Sequence, residues 1–323
     1  MRYRSVGRTD VQLSEIGFGC GGTAGLMVRG TPREQVEAVA RALELGINYF
    51  DNAPDYGDRL AERNLGRVLR ELGARPYVTT KVEIRNEDLD RIADHVVRSV
   101  EWSLRELQLE CVDFVQIHNG PVLERPRLEG RAYNVLSLDD FLRPHGALDG
   151  LQRLKQSGKA RHLGFIVRGS DPEPVQPLLD TGEFDLINVM YHLINPSARG
   201  VIERAHNKGA GVAVYSPLAN GYLNDNIVAG GAPHPLAGKR PRHDDADLAR
   251  ARALRFLSNG ETTLAQAALR FVLMEAGVTT VLGGFSSVEH LTEAALVPEA
   301  GPLTAEQMHR IEDVWRTKFG LNC

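Results

Sequence analysis

Cysteine is scarce in this 323-residue chain, and Cys20, Cys111 and Cys323 are far apart and odd in number. That argues against a disulfide framework and leaves no Cys-x-x-Cys pair for a metal or redox site. The ten histidines show no His-Glu-x-x-His or comparable spacing, so no metal is expected. A continuous apolar stretch of membrane-spanning length is also missing, and no membrane partner is expected. The opening Met1-Arg2-Tyr3-Arg4-Ser5 lacks the apolar core of a signal peptide, which makes a cytoplasmic location the expectation. Nor is positive charge in surplus. A formal net charge of -4 and a pI of about 6.2 provide no broad cationic face to neutralise a phosphate backbone, so nucleic acid is not an expected partner. What is present, 42% hydrophobic and 25% charged residues, is an ordinary globular composition. A chain of this length buries a large core and fits one α/β barrel, with residues 1–323 as a single domain and no interdomain linker.

Eight strand-like apolar runs recur along the chain, at residues 15–19, 47–50, 77–81, 112–118, 160–167, 185–191, 211–217 and 279–284. Helical patterns lie between them. Thr31 and Glu34 form a capping box ahead of Val36, Val39, Ala40 and Leu43 on one face, and Gly46 follows the end. Leu60, Leu65, Val68, Leu69 and Leu72 share a side before Gly73, and Ile92, Val96, Val100, Leu104 and Leu107 recur at helical spacing. Strands alternating with amphipathic helices imply parallel pairing with right-handed crossovers, and eight such units imply a closed TIM (β/α)8 barrel. Residues 2–14, with the turn Gly7-Arg8-Thr9-Asp10, read as a β-hairpin covering the barrel bottom. Two long segments rich in Pro, Gly and charge, 119–146 and 219–245, follow the fourth and seventh strands and are expected to overhang the C-terminal face. Thr304 starts a T-x-x-Q cap for a last helix carrying Met308, Ile311, Val314 and Trp315.

Four side chains stand at or just beyond successive strand ends: Asp51, Tyr56, Lys81 and His118. In a parallel barrel that rim is where chemistry collects, because loops there vary while the strands hold their ends rigidly. Singly, each residue type is an ordinary cap or surface group. Together they form a set able to move a proton to a carbonyl oxygen. Gly17-Phe18-Gly19-Cys20-Gly21-Gly22 offers a competing reading, since it matches G-x-G-x-x-G and Asp51 ends the next strand as a ribose ligand would. A dinucleotide fold, however, starts its helix within the glycine motif, and here the capping box waits until Thr31. The glycines are better read as a flexible first loop at the barrel mouth.

The strings Phe50-Asp51-Asn52-Ala53-Pro54-Asp55-Tyr56-Gly57, Thr80-Lys81, Gln116-Ile117-His118, Tyr215-Ser216-Pro217-Leu218 and the segment from Gly283 to Glu293 together resemble the aldo-keto reductase family through nearly the whole chain. The resemblance implies a TIM barrel that binds a nicotinamide cofactor in extended form, without a Rossmann domain. It also implies reversible hydride transfer between that cofactor and an aldehyde, ketone or sugar hydroxyl. Tyr56 is then the general acid/base. Lys81 would lower its pKa, Asp51 would hold Lys81 charged and oriented, and His118 would direct the substrate oxygen. The same resemblance places Gly21, Asn188, Tyr215, Ser216, Pro217, Leu218, Gly284, Ser286, Ser287, His290 and Glu293 at the cofactor. Gly22 and Asn119 fall in the substrate pocket, shaped also by the loop from Pro121 to His145.

Two departures from the family pattern stand out. Where the family commonly has Ser-Asn after the fifth strand to grip the carboxamide, the chain reads Gly164-Phe165-Ile166-Val167-Arg168, leaving Asn188 as the remaining amide. Where Lys and Arg commonly meet a 2′-phosphate, it has Gly284 and His290, with Lys239, Arg240 and Arg242 in the second long loop as substitutes. NADP(H) is the expected cofactor and NAD(H) the alternative. The expected partner is a small carbonyl or sugar substrate. Two further readings stay open: an NAD-linked aldose dehydrogenase, and a catalytically weak cofactor-binding regulatory subunit on the same fold.

Overall fold

The computed structural model describes residues 1–125, 135–238 and 245–321. Eight parallel strands close into a barrel: β1 (Ile16–Gly19), β2 (Tyr49–Asp51), β3 (Tyr77–Val82), β4 (Val112–Ile117), β5 (Ala160–Ile166), β6 (Phe184–Met190), β7 (Gly211–Tyr215) and β8 (Thr280–Gly284). Each pairs with its chain neighbour, and β8 returns to β1 through Leu282 opposite Gly17 and Gly283 opposite Phe18. Every expected strand run is present. The dinucleotide-fold reading is overturned, because its sheet would be open. Gly17 serves packing instead, since a Cβ there would lie 3.0 Å from the Tyr49 ring and 3.1 Å from Leu282.

Helices α1 (Pro32–Glu44), α2 (Leu60–Leu72), α3 (Ile92–Leu107), α4 (Ala147–Gln156), α5 (Gln176–Asp180), α6 (Arg199–Asn207), α7 (Leu264–Leu273) and α8 (Val288–Ala295) follow the eight strands in turn. The capping box of α1 forms as expected, with Glu34 N donating to the Thr31 hydroxyl at 3.3 Å and Thr31 N donating to the Glu34 carboxylate at 2.7 Å. A last helix, α9 (Ala305–Arg316), carries the Thr304 cap. It is fastened by Trp315, whose ring meets Phe271 at 5.7 Å and whose Nε1 donates to the Leu193 carbonyl at 2.8 Å.

Strand periodicity builds the interior in layers. Tyr49, Phe114, Leu186, Ala213 and Leu282 form an apolar cluster inside the barrel. Two residues further along the same strands, hence on the same face, come Asp51, Gln116, Asn188, Tyr215 and Gly284. The apolar layer thus carries a polar layer at the C-terminal side. The N-terminal mouth is closed by a hairpin whose strands, Tyr3–Ser5 and Gln12–Ser14, pair antiparallel. Its Val6, Val11 and Leu13 join the same apolar cluster. The turn needs Gly7 at φ 49, where a Cβ would lie 2.1 Å from the Gly209 carbonyl oxygen.

The segment after β7 crosses the loop after β1. Gly238 N donates to the Thr23 carbonyl at 2.8 Å, and Arg29 Nε donates to the Leu236 carbonyl at 2.8 Å. Among the described residues no helix is long and apolar enough to cross a membrane.

Candidate active site

The polar layer is wired together. Lys81 Nζ donates to Asp51 Oδ2 at 2.6 Å, to the Asn52 carbonyl at 2.8 Å and to the Tyr56 hydroxyl at 3.2 Å. An ammonium has three hydrogens to give, so all are placed. Asp51 Oδ1 accepts from Asn188 Nδ2 at 3.2 Å, and Asn188 Oδ1 accepts from Gln116 Nε2 at 2.7 Å. Lys81 and Asp51 are both buried, which makes this a desolvated ion pair. The His118 ring stands edge-on to Tyr56, with centroids 6.1 Å apart. The four strand-end residues therefore converge.

His118 has a partner that sequence reasoning missed. Its Nδ1 lies 3.2 Å from Asp55 Oδ1. The signal was available in Asp55's place beside Tyr56, inside the most specific string of the chain. Desolvation works against the Asp55 carboxylate, but the hydrogen bond and charge of His118, with Lys81 behind it, outweigh that and hold the carboxyl below its usual range.

The expectation that Lys81 lowers the Tyr56 pKa needs correction. Desolvation pushes the phenol well above its ordinary value, and the charges of Asp51 and Asp55 add to the rise. The reason lies in the ion pair. With Asp51 only 2.6 Å from Lys81, the phenol faces a nearly neutral couple, and desolvation decides the direction. Burial, reinforced by Asp51, likewise pushes the thiol of Cys20 up, so it is not a reactive thiolate.

These groups lie in a cleft of about 1030 Å³, lined at one end by Asp51, Tyr56, Lys81 and His118. Gly21, Gly22, Asn188, Tyr215, Ser216, Pro217, Leu218, Gly284, Ser286 and His290 also line it. Tyr215 donates from its hydroxyl to the Val167 carbonyl at 3.2 Å. Beyond it the chain enters left-handed backbone at Ser216 (φ 52), Ala219 (φ 48) and Asn220 (φ 54), an accumulation of non-glycine strain of the kind found where a loop is shaped for binding. Ser286 donates to the Ala24 carbonyl at 2.6 Å, and His290 meets the ring of His234, another unanticipated lining residue, at 5.8 Å.

Three expected site residues are absent from the cleft lining and have partners of their own. Asn119 is buried outside the lining, with Oδ1 accepting from Ile84 N at 2.8 Å and Nδ2 donating to the Ile84 carbonyl at 2.9 Å. Ser287 caps α8 by accepting from His290 N, and the Glu293 carboxylate accepts from the Thr263 hydroxyl at the start of α7. The described part of the loop from Pro121 to His145 supplies no lining residue, because Gly120–Val122 and Val135–Ser137 pair with each other beside the barrel. Residues 126–134 of that loop, and the proposed phosphate cations Lys239, Arg240 and Arg242, lie outside the described residues.

Comparison with known proteins agrees with this geometry. A family profile described as the Aldo/keto reductase family matches residues 15–316. An Arabidopsis thaliana protein named L-galactose dehydrogenase is 30% identical over 318 residues, covering 95% of this chain and 91% of that protein. A probable voltage-gated potassium channel subunit beta of Oryza sativa subsp. japonica is 24% identical, covering 98% of both chains. The holo form of an aldo-keto reductase from Bacillus halodurans superposes with a TM-score of 0.75 at 25% identity, covering 97% of this chain and 96% of that one. The chain is an NAD(P)-dependent oxidoreductase that belongs to the aldo/keto reductase family.

Proposed function

We propose that Tyr56 is the proton donor in a hydride transfer from a nicotinamide cofactor to the carbonyl carbon of an aldehyde, ketone or sugar. One observation carries this reading: Lys81 donates to the Tyr56 oxygen at 3.2 Å. An ammonium cannot accept, so the phenol's own hydrogen is free to point into the cleft. As hydride reaches the carbon, negative charge grows on the carbonyl oxygen. Tyr56 gives its proton there, and the Lys81 ammonium that already donates to its oxygen hydrogen-bonds the phenolate left behind. The raised phenol stays protonated through neutral pH, which suits reduction. His118, held by Asp55 at Nδ1, directs the substrate oxygen. In oxidation Tyr56 takes the proton back.

The residues present fit a nicotinamide cofactor, whose part is to supply or accept the hydride. Glycines 19, 21, 22 and 284 leave one wall of the cleft without side chains. Tyr215 offers a ring for stacking, and Ser216 to Leu218 offer backbone for the pyrophosphate. Asn188 keeps one N–H and one lone pair beyond those bonded to Asp51 and Gln116, enough to meet a carboxamide. Ser286, His290 and His234 are assigned to the adenosine end. We assign NADP(H) as the preferred cofactor and NAD(H) as the second, in a cytoplasmic setting. The likeness to a protein named L-galactose dehydrogenase favours a second reading, an NAD-linked aldose dehydrogenase. The likeness to a potassium channel subunit keeps a third, a regulatory cofactor-binding protein.

Absorbance at the reduced-nicotinamide band with a panel of aldehydes, ketones and sugars tests the reading. Turnover supports it, and tight cofactor binding without turnover of any of them supports the regulatory role. Dissociation constants for NADPH and NADH settle the preference, and equal or tighter NADH binding overturns ours.

A further inference from the structure

Arg168 stands two residues after β5 and lines the same cleft. Its Nη2 donates to the His118 carbonyl at 3.2 Å. It also bears on Tyr215, whose phenol is raised by burial while the charge and a hydrogen bond of Arg168 oppose the rise. The guanidinium therefore reaches the His118 backbone and acts on Tyr215 from the wall of the proposed substrate cleft. Arg59, Arg75 and Arg161 each pair with a carboxylate. Arg168 makes no ion pair among the described residues, and Asp55 on the same rim is engaged by His118. The position is also built. Gly120 leaves room for the arginine stem, since a Cβ at residue 120 would lie 2.5 Å from both Cβ and Cγ of Arg168.

We propose that Arg168 is a specificity-determining residue that selects carbonyl substrates bearing a carboxylate. This deepens the hydride-transfer reading by naming the substrate class of that site. A guanidinium with five N–H groups, engaged at the His118 carbonyl and by Tyr215, keeps others to offer, and its planar fork matches a carboxylate in geometry and cancels a single negative charge. Ile166 and Met190 also line the cleft and, being apolar, do not compete with Arg168 for a charged group.

The test uses the cofactor-bound full chain with a matched pair, 4-carboxybenzaldehyde and methyl 4-formylbenzoate, which differ in charge at nearly constant shape. Equilibrium binding and turnover are read separately. We expect the carboxylate to bind about 10- to 100-fold tighter, the range of a charge-assisted hydrogen bond, and the advantage to shrink with added salt. In Arg168→Met the ratio between the two compounds falls to about one, while Arg168→Lys keeps part of it. Gly120→Ala, which displaces the stem, lowers the ratio too. Equal binding of the pair to the unaltered protein overturns the proposal. So does a loss in Arg168→Met that is the same for both compounds, or that falls on cofactor affinity instead. Selective binding of the carboxylate without reduction of either compound keeps this site and removes the hydride-transfer reading. Reduction of both with equal binding does the reverse.

Discussion

The two ends of the cleft are made differently. At the proton-transfer end, Asp51 and Lys81 project from strands, are buried, and have every polar contact assigned within the barrel. Elsewhere along the lining, Ser216, Ser286, His234 and His290 come from loops and helix starts, with left-handed backbone at Ser216 and Asn220. Strand residues are placed by the barrel's own register, and the buried pair at their centre cannot be loosened cheaply. Loop residues are placed by one another. The first end is suited to chemistry that demands fixed geometry, and the second to adjusting which cofactor is held.

The largest expected effect breaks the first end. Lys81→Met leaves the Asp51 carboxylate buried without its partner, which costs about 3–5 kcal/mol of stability and at least about 100-fold in turnover. Denaturant unfolding and steady-state rates check both, and a stability loss below about 1 kcal/mol would mean that the pair is not tightly desolvated. The pH dependence of any residual activity should shift as well.

Acid lability should lie outside both ends. Burial lowers His192 from its ordinary 6.5 to about 4, with its Nδ1 accepting from Asn195 N at 3.2 Å. The unfolded chain therefore takes up a proton that the fold refuses. This stability is complete above pH 6.5, declines as pH falls from 6.5 toward 4, and amounts to about 3 kcal/mol at about 1.4 kcal/mol per unit. Unfolding measured across that window in His192→Asn should show a flatter slope, and an unchanged slope would locate the acid sensitivity elsewhere.

A smaller effect sharpens the proton-transfer end. Asp55→Asn should lower kcat/KM about tenfold by loosening His118, the scale of one hydrogen bond to a charged group. Because the Asp55 carboxyl is held below its usual range, its contribution persists above the ordinary carboxylate pKa and is lost only as pH falls through the lowered value. The wild-type and variant pH profiles should therefore converge at the acid limit. At the cofactor end, Ser216→Val should cost about 1–2 kcal/mol of stability, because a β-branched residue resists φ 52. It should weaken cofactor binding more than Ser216→Gly does, and equal affinities would remove the backbone at residue 216 from the site.

This contrast also explains what could be read from the chain alone. The barrel strands and the four strand-end residues were legible because apolar runs announce strands and the first chemical side chains after them fall on the rim. Asn119, Ser287 and Glu293 were harder to read for the opposite reason. Each is a residue type that suits a ligand, but its partner is set by tertiary contact: Ile84 for Asn119, Thr263 for Glu293, and the α8 backbone for Ser287. Spacing along a chain does not disclose which donor an amide or carboxylate will meet. The direction of the Tyr56 shift was missed similarly, since Lys81 lowers a neighbouring phenol only as far as Asp51 leaves its charge uncancelled, and here burial and the two carboxylates prevail. His234 was invisible because only the path of the second long loop brings it to His290.

The central claim is that Tyr56, held by Lys81, delivers the proton to the substrate oxygen. Transient absorbance at the reduced-nicotinamide band, with wild type and Tyr56→Phe each saturated with cofactor and mixed with the same aldehyde, tests it most directly. The account predicts a fall in the hydride-transfer rate of about 10²- to 10⁴-fold with cofactor affinity nearly unchanged. A Tyr56→Phe rate within about tenfold of wild type would contradict it.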